Sequence, residues 1–163
     1  MLGNLITQNF HSVGELYSYD KISPMERFHH PHSDDALEVL KDAQVVAVVG
    51  ISPDPERPSY YVSERLISKG KHRVYFINPK YAGQEILGIN VLPSLSDVPE
   101  KIDIVNVFRN PAHIEPILEE AIKIGARCVW LQPGCENHEI IERYKDKIKI
   151  VWNACIGVEA GYL

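Results

Sequence analysis

A chain of 163 residues suits one domain and leaves little room for a second. Its apolar fraction of 45% supports a folded core, and its net charge of -5 argues against a broadly basic surface for nucleic acid or anionic membrane. This balance still permits a local basic site for an anionic ligand.

The sequence lacks the usual marks of export and membrane insertion. Its longest purely apolar stretch, Val45 to Val49, is too short to span a bilayer, and the N-terminus lacks the basic start and apolar run of a secretory signal. The three cysteines, Cys128, Cys135 and Cys155, form neither a secreted disulfide framework nor the paired spacings of a structural zinc site. We therefore expect a cytoplasmic protein.

Residues 1–32 show no sustained helical or strand period. We interpret them as an N-terminal extension that could be partly disordered, followed by one domain at 33–163. His29, His30 and His32 cluster in the extension. No carboxylate or cysteine repeats near them at ligand spacing, so the sequence predicts no metal site.

From Ser33 onward, predicted helices and strands alternate. Ser33 fits the N-cap of a helix that ends near Lys41. The run at 44–50, QVVAVVG, is typical of a strand buried on both faces of a parallel sheet. The remaining predicted elements are a helix at 59–69, a strand at 73–77, a loop and short turn at 78–98, a strand at 104–108, a helix at 112–124, a strand at 127–131, a helix at 137–146, a strand at 148–152 and a tail at 153–163.

Five hydrophobic strands separated by helices predict a single-domain α/β protein. The expected fold is a Rossmann-like, doubly wound parallel sheet with right-handed crossovers and helices on both faces. The predicted strand order is 3-2-1-4-5. It places any ligand at the carboxyl ends of the strands, over the turn after Gly50.

The turn after the first strand reads G-I-S-P-D-P-E-R-P-S and indicates a phosphate site. Gly50 would let the backbone pass closely beneath a ligand, and Pro58 suits the first position of the following helix. A plain strand-to-helix turn is the alternative. The predicted donors to a pyrophosphate are the amides of Ser59, Tyr60 and Tyr61, the hydroxyls of Ser52 and Ser59, and the guanidinium of Arg57.

The turn after the second strand argues against an NAD site. Of the fingerprint G-x-G-x-x-G only Gly50 is present, and Asn78, Pro79 and Lys80 stand where an acidic residue would bind the ribose hydroxyls. A lysine there suits a ribose phosphate, which coenzyme A carries at its 3′ position and NADP at its 2′ position. A solvated loop lysine is the alternative interpretation.

Two later turns bring further candidates to the same edge of the sheet. Phe108 and Arg109 follow the third predicted strand, where a flat apolar surface and a cation could flank an adenine and its phosphates. Gln132 and Gly134 follow the fourth, with a carboxamide and backbone amides available. Each turn alone could be ordinary loop chemistry, but convergence of the four predicts a nucleotide site.

The motifs V-V-G-I-S, P-S-Y-Y-V, I-N-P-K, D-I-V-N-V-F-R and G-A-R-C-V-W-L-Q-P-G, with the late Asn153–Cys155, resemble the stand-alone CoA-binding domain family. That family is similar to the N-terminal domain of the succinyl-CoA synthetase alpha subunit. The resemblance covers roughly residues 36–157 and implies a Rossmann-like fold with coenzyme A across the strand ends. It implies that the phosphates are held by Gly50, Ile51, Ser52, Arg57, Pro58 and Ser59, that Asn78, Pro79 and Lys80 flank the adenosine end with Val107, Phe108 and Arg109 nearby, and that Gln132 and Gly134 lie toward the pantetheine.

The sequence carries no evident catalytic constellation: no G-x-S-x-G elbow, H-E-x-x-H pair or lysine-bearing phosphate loop is present. The synthetase's second domain, which bears a phosphorylated histidine, also has no counterpart, and His113 and His138 match no motif of the family. We therefore predict a binding module for coenzyme A or acyl-CoA rather than an enzyme.

Several alternatives stay open at this point. The chain could be an NADP-dependent oxidoreductase, a partner subunit of an acyl-CoA ligase, or a regulatory dimer with a vestigial pocket, and homo-oligomers are compatible with each. Cys135 or Cys155 could face the thiol of bound coenzyme A, or the two could form a disulfide. Two inert thiols are the alternative.

Overall fold

A mostly parallel sheet of seven strands forms the centre of the computed structural model, which describes residues 35–163. The predicted extension at 1–32, its histidine patch and the N-cap residue Ser33 lie outside the described residues. The first helix begins at Ala36, with Asp35 in the N-cap position. No helix within 35–163 is long and apolar enough to cross a membrane.

Helices and strands alternate as the sequence predicts, and the predicted α/β, Rossmann-like class is confirmed. Each of the five predicted strands is present to within one residue at either end. The helices are α1 (Ala36–Asp42), α2 (Pro58–Ser68), α3 (Glu115–Lys123), α4 (His138–Tyr144) and α5 (Ile156–Ala160). The strands are β1 (Val45–Val49), β2 (Arg73–Ile77), β3 (Glu85–Ile86), β4 (Ile89–Leu92), β5 (Ile104–Val107), β6 (Cys128–Leu131) and β7 (Lys149–Trp152).

The predicted strand order is wrong, because one strand was assigned to a loop. The sheet order is β3-β4-β2-β1-β5-β6-β7, so the five predicted strands follow the order 2-1-3-4-5. β5 pairs directly with β1, and β4 takes the position outside β2 that the prediction gave to 104–108. Consequently the turns after β1, β2 and β5 meet at the switch point of the sheet.

The hairpin of β3 and β4 is missing from the prediction because its turn is atypical. Leu87 and Gly88 both have positive φ, 50° and 77°. A hairpin turn of this kind usually carries Asn or Asp at the first position, and Leu87 hides the signal. β3 is also only two residues long, too short for a clear alternation.

Two other elements differ from the prediction. The helix predicted at 112–124 is divided into a 3-10 turn at Pro111–His113 and α3, which has Pro116 in its first turn. The segment predicted as a tail contains α5, and all five residues of this helix are buried. Gly157 permits this packing against α2, because a Cβ there would lie 3.1 Å from Val62 Cγ1.

The sheet separates the core into two apolar layers. One, the α2 layer, contains buried residues of α1, α2 and α5, and the other, the α3 layer, contains those of α3 and α4. All five residues of β1 are buried and alternate between the two layers. This explains why β1 reads as a continuous apolar run in the sequence.

Candidate functional site

A cleft of about 310 Å³ opens at the carboxyl ends of β1, β2 and β5. Its walls are the turns after these strands and the start of α2. Its lining includes ten predicted site residues and two that sequence reasoning missed. The predicted ones are Gly50, Ile51, Ser52, Arg57, Pro58, Ser59, Asn78, Lys80, Phe108 and Arg109, and the additional ones are Tyr81 and Asn110.

Gly50 is required here by the protein backbone. Its φ is +95°, and a Cβ at this position would lie 2.1 Å from the carbonyl oxygen of Phe108. The structure thus gives this glycine a reason within the protein, beside the predicted close approach of a ligand. The absence of a side chain lets the turns after β1 and β5 touch, which closes the base of the cleft.

The start of α2 offers fewer free amides than the sequence predicts. Pro58 is the first helical residue, as expected. The amides of Tyr60 and Tyr61, however, both donate to the carbonyl of Arg57, over 2.9 and 3.2 Å. Of the three predicted amide donors, only that of Ser59 is not engaged in this way.

Two serine hydroxyls join the turn after β1 to α2. The Ser59 hydroxyl accepts a hydrogen bond from the Ser52 amide at 3.0 Å, and the Ser52 hydroxyl accepts one from the Asp54 amide at 3.1 Å. Each hydroxyl accepts in these contacts and keeps its own proton for donation. Both residues line the cleft, so these protons are available to an anion.

Asn78 holds the turns after β1 and β2 together. It is buried, its Nδ2 donates to the carbonyl of Ile51 over 2.9 Å, and its Oδ1 accepts from the Lys80 amide over 3.0 Å. Both ends of the carboxamide are therefore engaged within the protein. Asn78 fixes the backbone from which the Lys80 side chain extends.

Three cations surround the cleft, and none of its lining residues is acidic. Arg57, Lys80 and Arg109 are all exposed. The carboxylate of Asp54 lies 3.9 Å from Arg57 Nε, and since both side chains are exposed this ion pair contributes little. In a chain of net charge -5, this local positive charge favours an anion with several charges.

Two aromatic side chains supply apolar surface beside these cations. Phe108 is buried in the wall of the cleft, and Tyr81 is half-buried, with Lys80 Nζ 5.3 Å from its ring centroid. Asn110 accepts a hydrogen bond from the Ala112 amide at 2.9 Å and so begins the 3-10 turn that follows β5. Tyr81 and Asn110 directly follow predicted site residues, and that adjacency was the only signal for them.

Four predicted site residues do not line the cleft. Val107 is buried in the α3 layer, on the opposite face of β5 from Phe108, and Pro79 is exposed at the start of a 3-10 turn. Gln132 is completely buried. The Gly134 amide donates to Glu136 Oε2 over 2.8 Å, so a carboxylate already occupies this donor.

All three cysteines are buried and none is in a disulfide, so the hypothesised Cys135–Cys155 disulfide is not formed. Burial raises the pKa of Cys135 to about 11 and that of Cys128 to about 12. Both thiols are therefore protonated near neutral pH, where a thiol is a weak nucleophile. Within 35–163, no group of three or more His, Cys, Asp or Glu side chains could hold a metal ion.

The model of a CoA-binding domain matches residues 44–161 of the chain. The chain belongs to this family. The resemblance predicted from the sequence motifs is thereby confirmed.

Relatives of this CoA-binding domain include free-standing and fused proteins. Protein YneT of Bacillus subtilis is 32% identical over 130 residues, which are 79% of this chain and 94% of YneT. Acetate–CoA ligase (ADP-forming) I of Archaeoglobus fulgidus is 30% identical over 138 residues, 75% of this chain and 19% of the ligase. The chain thus spans about a fifth of the ligase's length.

Solved structures show the same fold. A hypothetical protein from Pyrococcus horikoshii superposes with a TM-score of 0.74 at 34% identity, covering 87% of this chain and 99% of that one. The apo form of a dinucleotide-forming acetyl-coenzyme A synthetase from Ca. Korarchaeum cryptofilum gives a TM-score of 0.59 at 27% identity, over 70% of this chain and 27% of the synthetase.

The donors of the cleft fit the chemistry of coenzyme A. This ligand carries a 5′-diphosphate and a 3′-phosphate on an adenosine, and the cleft combines three cations with two hydroxyl protons and two aromatic surfaces. The CoA-binding domain therefore has, at the switch point of its sheet, the residue types that a phosphorylated adenosine requires.

Proposed function

We propose that this chain binds coenzyme A or an acyl-CoA in the cleft at the carboxyl ends of β1, β2 and β5. The observation that carries the proposal is the surplus of cations there. Arg57, Lys80 and Arg109 surround a cleft without a lining carboxylate, in a chain whose net charge is -5. Charge-assisted hydrogen bonds from such groups to phosphate are roughly twice as strong as neutral ones.

The proposed contacts go to three parts of the ligand, which are the diphosphate, the 3′-phosphate and the adenine. The turn after β1 and the start of α2 hold the diphosphate, with Arg57 and Ser59 as its main donors. Lys80 binds the 3′-phosphate, and Asn78 fixes the turn that carries this lysine. Phe108 and Arg109 flank the adenine and its phosphates. The proposed contacts in the cleft are Gly50, Ile51, Ser52, Arg57, Pro58, Ser59, Asn78, Lys80, Phe108 and Arg109. The other members of the predicted set, Pro79, Val107, Gln132 and Gly134, do not line the cleft and stay predictions from the family resemblance.

The proposal assigns binding and no catalytic step to this chain. The buried thiols of Cys128 and Cys135 are protonated near neutral pH. The cleft lining contains no histidine, cysteine or carboxylate that could act as a nucleophile or general base. A carrier or sensor of acyl-CoA needs neither.

The proposal extends to the limits of the domain and to its compartment. Ala36 and Leu40 of α1 are completely buried in the α2 layer, which supports a domain that begins near residue 33, before the start of the family match. Three buried cysteines outside any disulfide fit the reducing cytoplasm.

Calorimetric titration with coenzyme A, acetyl-CoA, NAD and NADPH tests the function. We expect coenzyme A and acetyl-CoA to bind and NAD to bind weakly or not at all. Binding of NADPH alone would instead support an NADP-dependent oxidoreductase. Binding of none of the four would show that the pocket is vestigial.

A second candidate function is that of a CoA-binding partner for an acyl-CoA ligase. The Archaeoglobus fulgidus ligase carries the matching region within a chain about five times as long, which favours a role beside other ligase domains. Reconstitution tests it: the chain is added to an acetate–CoA ligase that lacks its own CoA-binding region. Restored acetyl-CoA formation is expected if the chain is such a partner, and no formation with a stably folded ligase fragment speaks against it.

A further inference from the structure

One side chain of the cleft, that of Tyr81, has no part in the proposed function. Tyr81 is half-buried, packs against the α2 layer and lines the cleft. It is the last residue of the 3-10 turn at Pro79–Tyr81 and directly follows Lys80. Lys80 Nζ lies 5.3 Å from the centroid of the Tyr81 ring, which is within the range of a cation–π contact. The ring therefore joins the packed interior to a cation of the cleft.

The position of the Tyr81 ring is fixed by the protein. The Tyr81 amide donates to the Asn78 carbonyl over 3.2 Å, and the Tyr81 carbonyl accepts a hydrogen bond from the Gln84 amide over 3.0 Å. The Gly83 amide donates to the Val91 carbonyl over 2.9 Å, which joins the same turn to β4. Backbone hydrogen bonds on both sides and packing against the α2 layer thus hold the ring in place.

The Lys80 side chain extends from this fixed turn into solvent. Its backbone amide donates to Asn78, but its ammonium group forms no ion pair among the described residues. Confining a lysine stem to one position costs rotamer entropy, and a contact already present in the free protein reduces the part of this cost that falls on binding. An aromatic face, unlike a carboxylate, makes this contact without a negative charge that would compete with a phosphate.

We propose that Tyr81 is a positioning residue that holds the Lys80 ammonium group beside its ring, so that the cleft selects nucleotides with a phosphate on the ribose. This inference rests on the proposed function, in which Lys80 binds the 3′-phosphate. It adds a cause for selectivity, because a ligand with the diphosphate but no ribose phosphate gains nothing from the Lys80–Tyr81 pair. Coenzyme A and dephospho-CoA differ in this phosphate alone.

Calorimetric titration of Tyr81→Leu with coenzyme A and with dephospho-CoA tests the positioning role. We expect coenzyme A to bind about two- to fivefold more weakly than to the unmodified protein, which corresponds to the loss of an exposed cation–π contact. The affinity for dephospho-CoA should stay unchanged. Equal losses for both ligands would show that the ring contacts the shared part of the ligand or supports the cleft as a whole. That result, or an unchanged affinity for coenzyme A, would overturn the inference.

Two further variants test whether the ring acts through Lys80. Tyr81→Phe keeps the aromatic face and should retain the preference for coenzyme A, whereas a loss as large as that of Tyr81→Leu would assign the effect to the hydroxyl. Lys80→Met removes the charge and keeps an unbranched apolar stem. In a chain with Lys80→Met, adding Tyr81→Leu should weaken coenzyme A no further. A further loss there would mean that Tyr81 does not act through the lysine.

The matched control is Tyr75→Leu. Tyr75 is also half-buried, but it packs against the α3 layer on the other face of the sheet, and its hydroxyl donates to Glu100. This variant can lower the unfolding temperature, but it should leave the ratio of the two affinities unchanged. If the unmodified protein binds neither ligand, the proposed function fails and the positioning role with it. If it binds coenzyme A and Tyr81→Leu keeps the same ratio, only the positioning role fails.

Discussion

Arg109 is the residue whose side chain tests the cleft most directly. It is exposed beside Gly50, where its Cδ lies 3.5 Å from the position that a Cβ would take. If it contacts a phosphate, Arg109→Ala should weaken coenzyme A binding by about 1.5–3 kcal/mol, with solvent screening favouring the lower value. Calorimetry measures the change.

The control for Arg109 is Arg127→Ala. Arg127 is also exposed, but it lies at the amino end of the strands, 3.7 Å from Asp103. Its loss changes the net charge equally and should leave the affinity almost unchanged. An unaltered affinity in Arg109→Ala would show that Arg109 is not a contact.

Alanine variants at Gly50 and Gly83 distinguish the cost of backbone strain from the cost of a steric clash. Both have positive φ, +95° and +86°, but a Cβ at Gly83 has nothing within 4 Å, whereas one at Gly50 meets Phe108. Each alanine variant should lose roughly 1–3 kcal/mol of unfolding free energy to strain. Gly50→Ala should lose more, because the turns after β1 and β5 must separate. Urea denaturation compares the two, and equal losses would mean that the contact with Phe108 is not tight.

At the residue scale, the sequence predicted which residues lie at the cleft better than it predicted what each residue does there. Gly50 and Asn78 were predicted as site residues, and both lie at the cleft. The structure, however, gives each a role within the protein, since Gly50 makes room for a carbonyl and Asn78 joins two turns. Such roles depend on which strand lies beside β1, and a pattern along one strand does not contain that information.

At the scale of elements, the contact between α2 and α5 determines where the start of α2 lies. A Cβ at Gly157 would lie 3.1 Å from Val62 Cγ1 and 3.5 Å from the Val62 carbonyl oxygen. Gly157→Ala should therefore cost about 1–3 kcal/mol of stability by overpacking. It should also weaken coenzyme A binding, because a displaced α2 moves Ser59.

A double-mutant cycle with Val62→Ala checks this prediction. Removing Cγ1 of Val62 makes room for the new methyl group. The double variant should therefore lose less unfolding free energy than the sum of the two single variants, by about 0.5–3 kcal/mol. Strict additivity in thermal or urea unfolding would show that the two side chains do not compete for space.

The predictability of each element followed its length and its pattern. The five predicted strands and the helices between them were recognisable because buried parallel strands tend to be runs of apolar residues. The β3–β4 hairpin was missed because β3 has only two residues and because the turn contains Leu87, which hides the hairpin pattern. α5 was missed because its residues, from Ile156 to Ala160, are buried all round and show no amphipathic period.

At the scale of the whole molecule, two buried thiols and a tyrosine hydroxyl with raised pKa values lead us to expect a loss of stability at alkaline pH. Burial raises the pKa of Cys128 from 9.0 to about 12 and that of Cys135 from 9.0 to about 11. Burial and the carboxylates of Glu115 and Glu119 raise the pKa of Tyr144 from 10.0 to about 12. The folded state therefore binds more protons than the unfolded state in this range, and stability falls as pH rises.

Thermal unfolding as a function of pH measures the effect. The contribution of these groups is complete below about pH 9 and is lost as the pH rises through 11 to 12, so the unfolding temperature should decline above about pH 9. Tyr144→Phe should flatten only the part of the decline above about pH 10. An unfolding temperature that rises between pH 9 and 11 would contradict the raised pKa values of these groups in the folded state.

The charge distribution of the molecule makes a separate prediction about salt. A chain of net charge -5 repels a polyanion at long range, whereas the three cations of the cleft attract it at short range. Salt screens exposed charges beyond a Debye length of about 8 Å at physiological ionic strength. Because the cations of the cleft are exposed, we expect the affinity for coenzyme A to fall as sodium chloride is raised. A constant Kd would mean that the phosphates are not held by these side chains.

The division of the core by the sheet has a consequence for local opening. α3 and α4 cover one apolar layer. α1 and α2 cover the other, which also contains Phe108 from the wall of the cleft. Partial opening of α3 and α4 would expose their layer to solvent and leave the packing around α2 in place. Amide hydrogens of α3 and α4 would then exchange with solvent while the walls of the cleft keep their packing, so local unfolding on one face of the sheet leaves the proposed binding site intact.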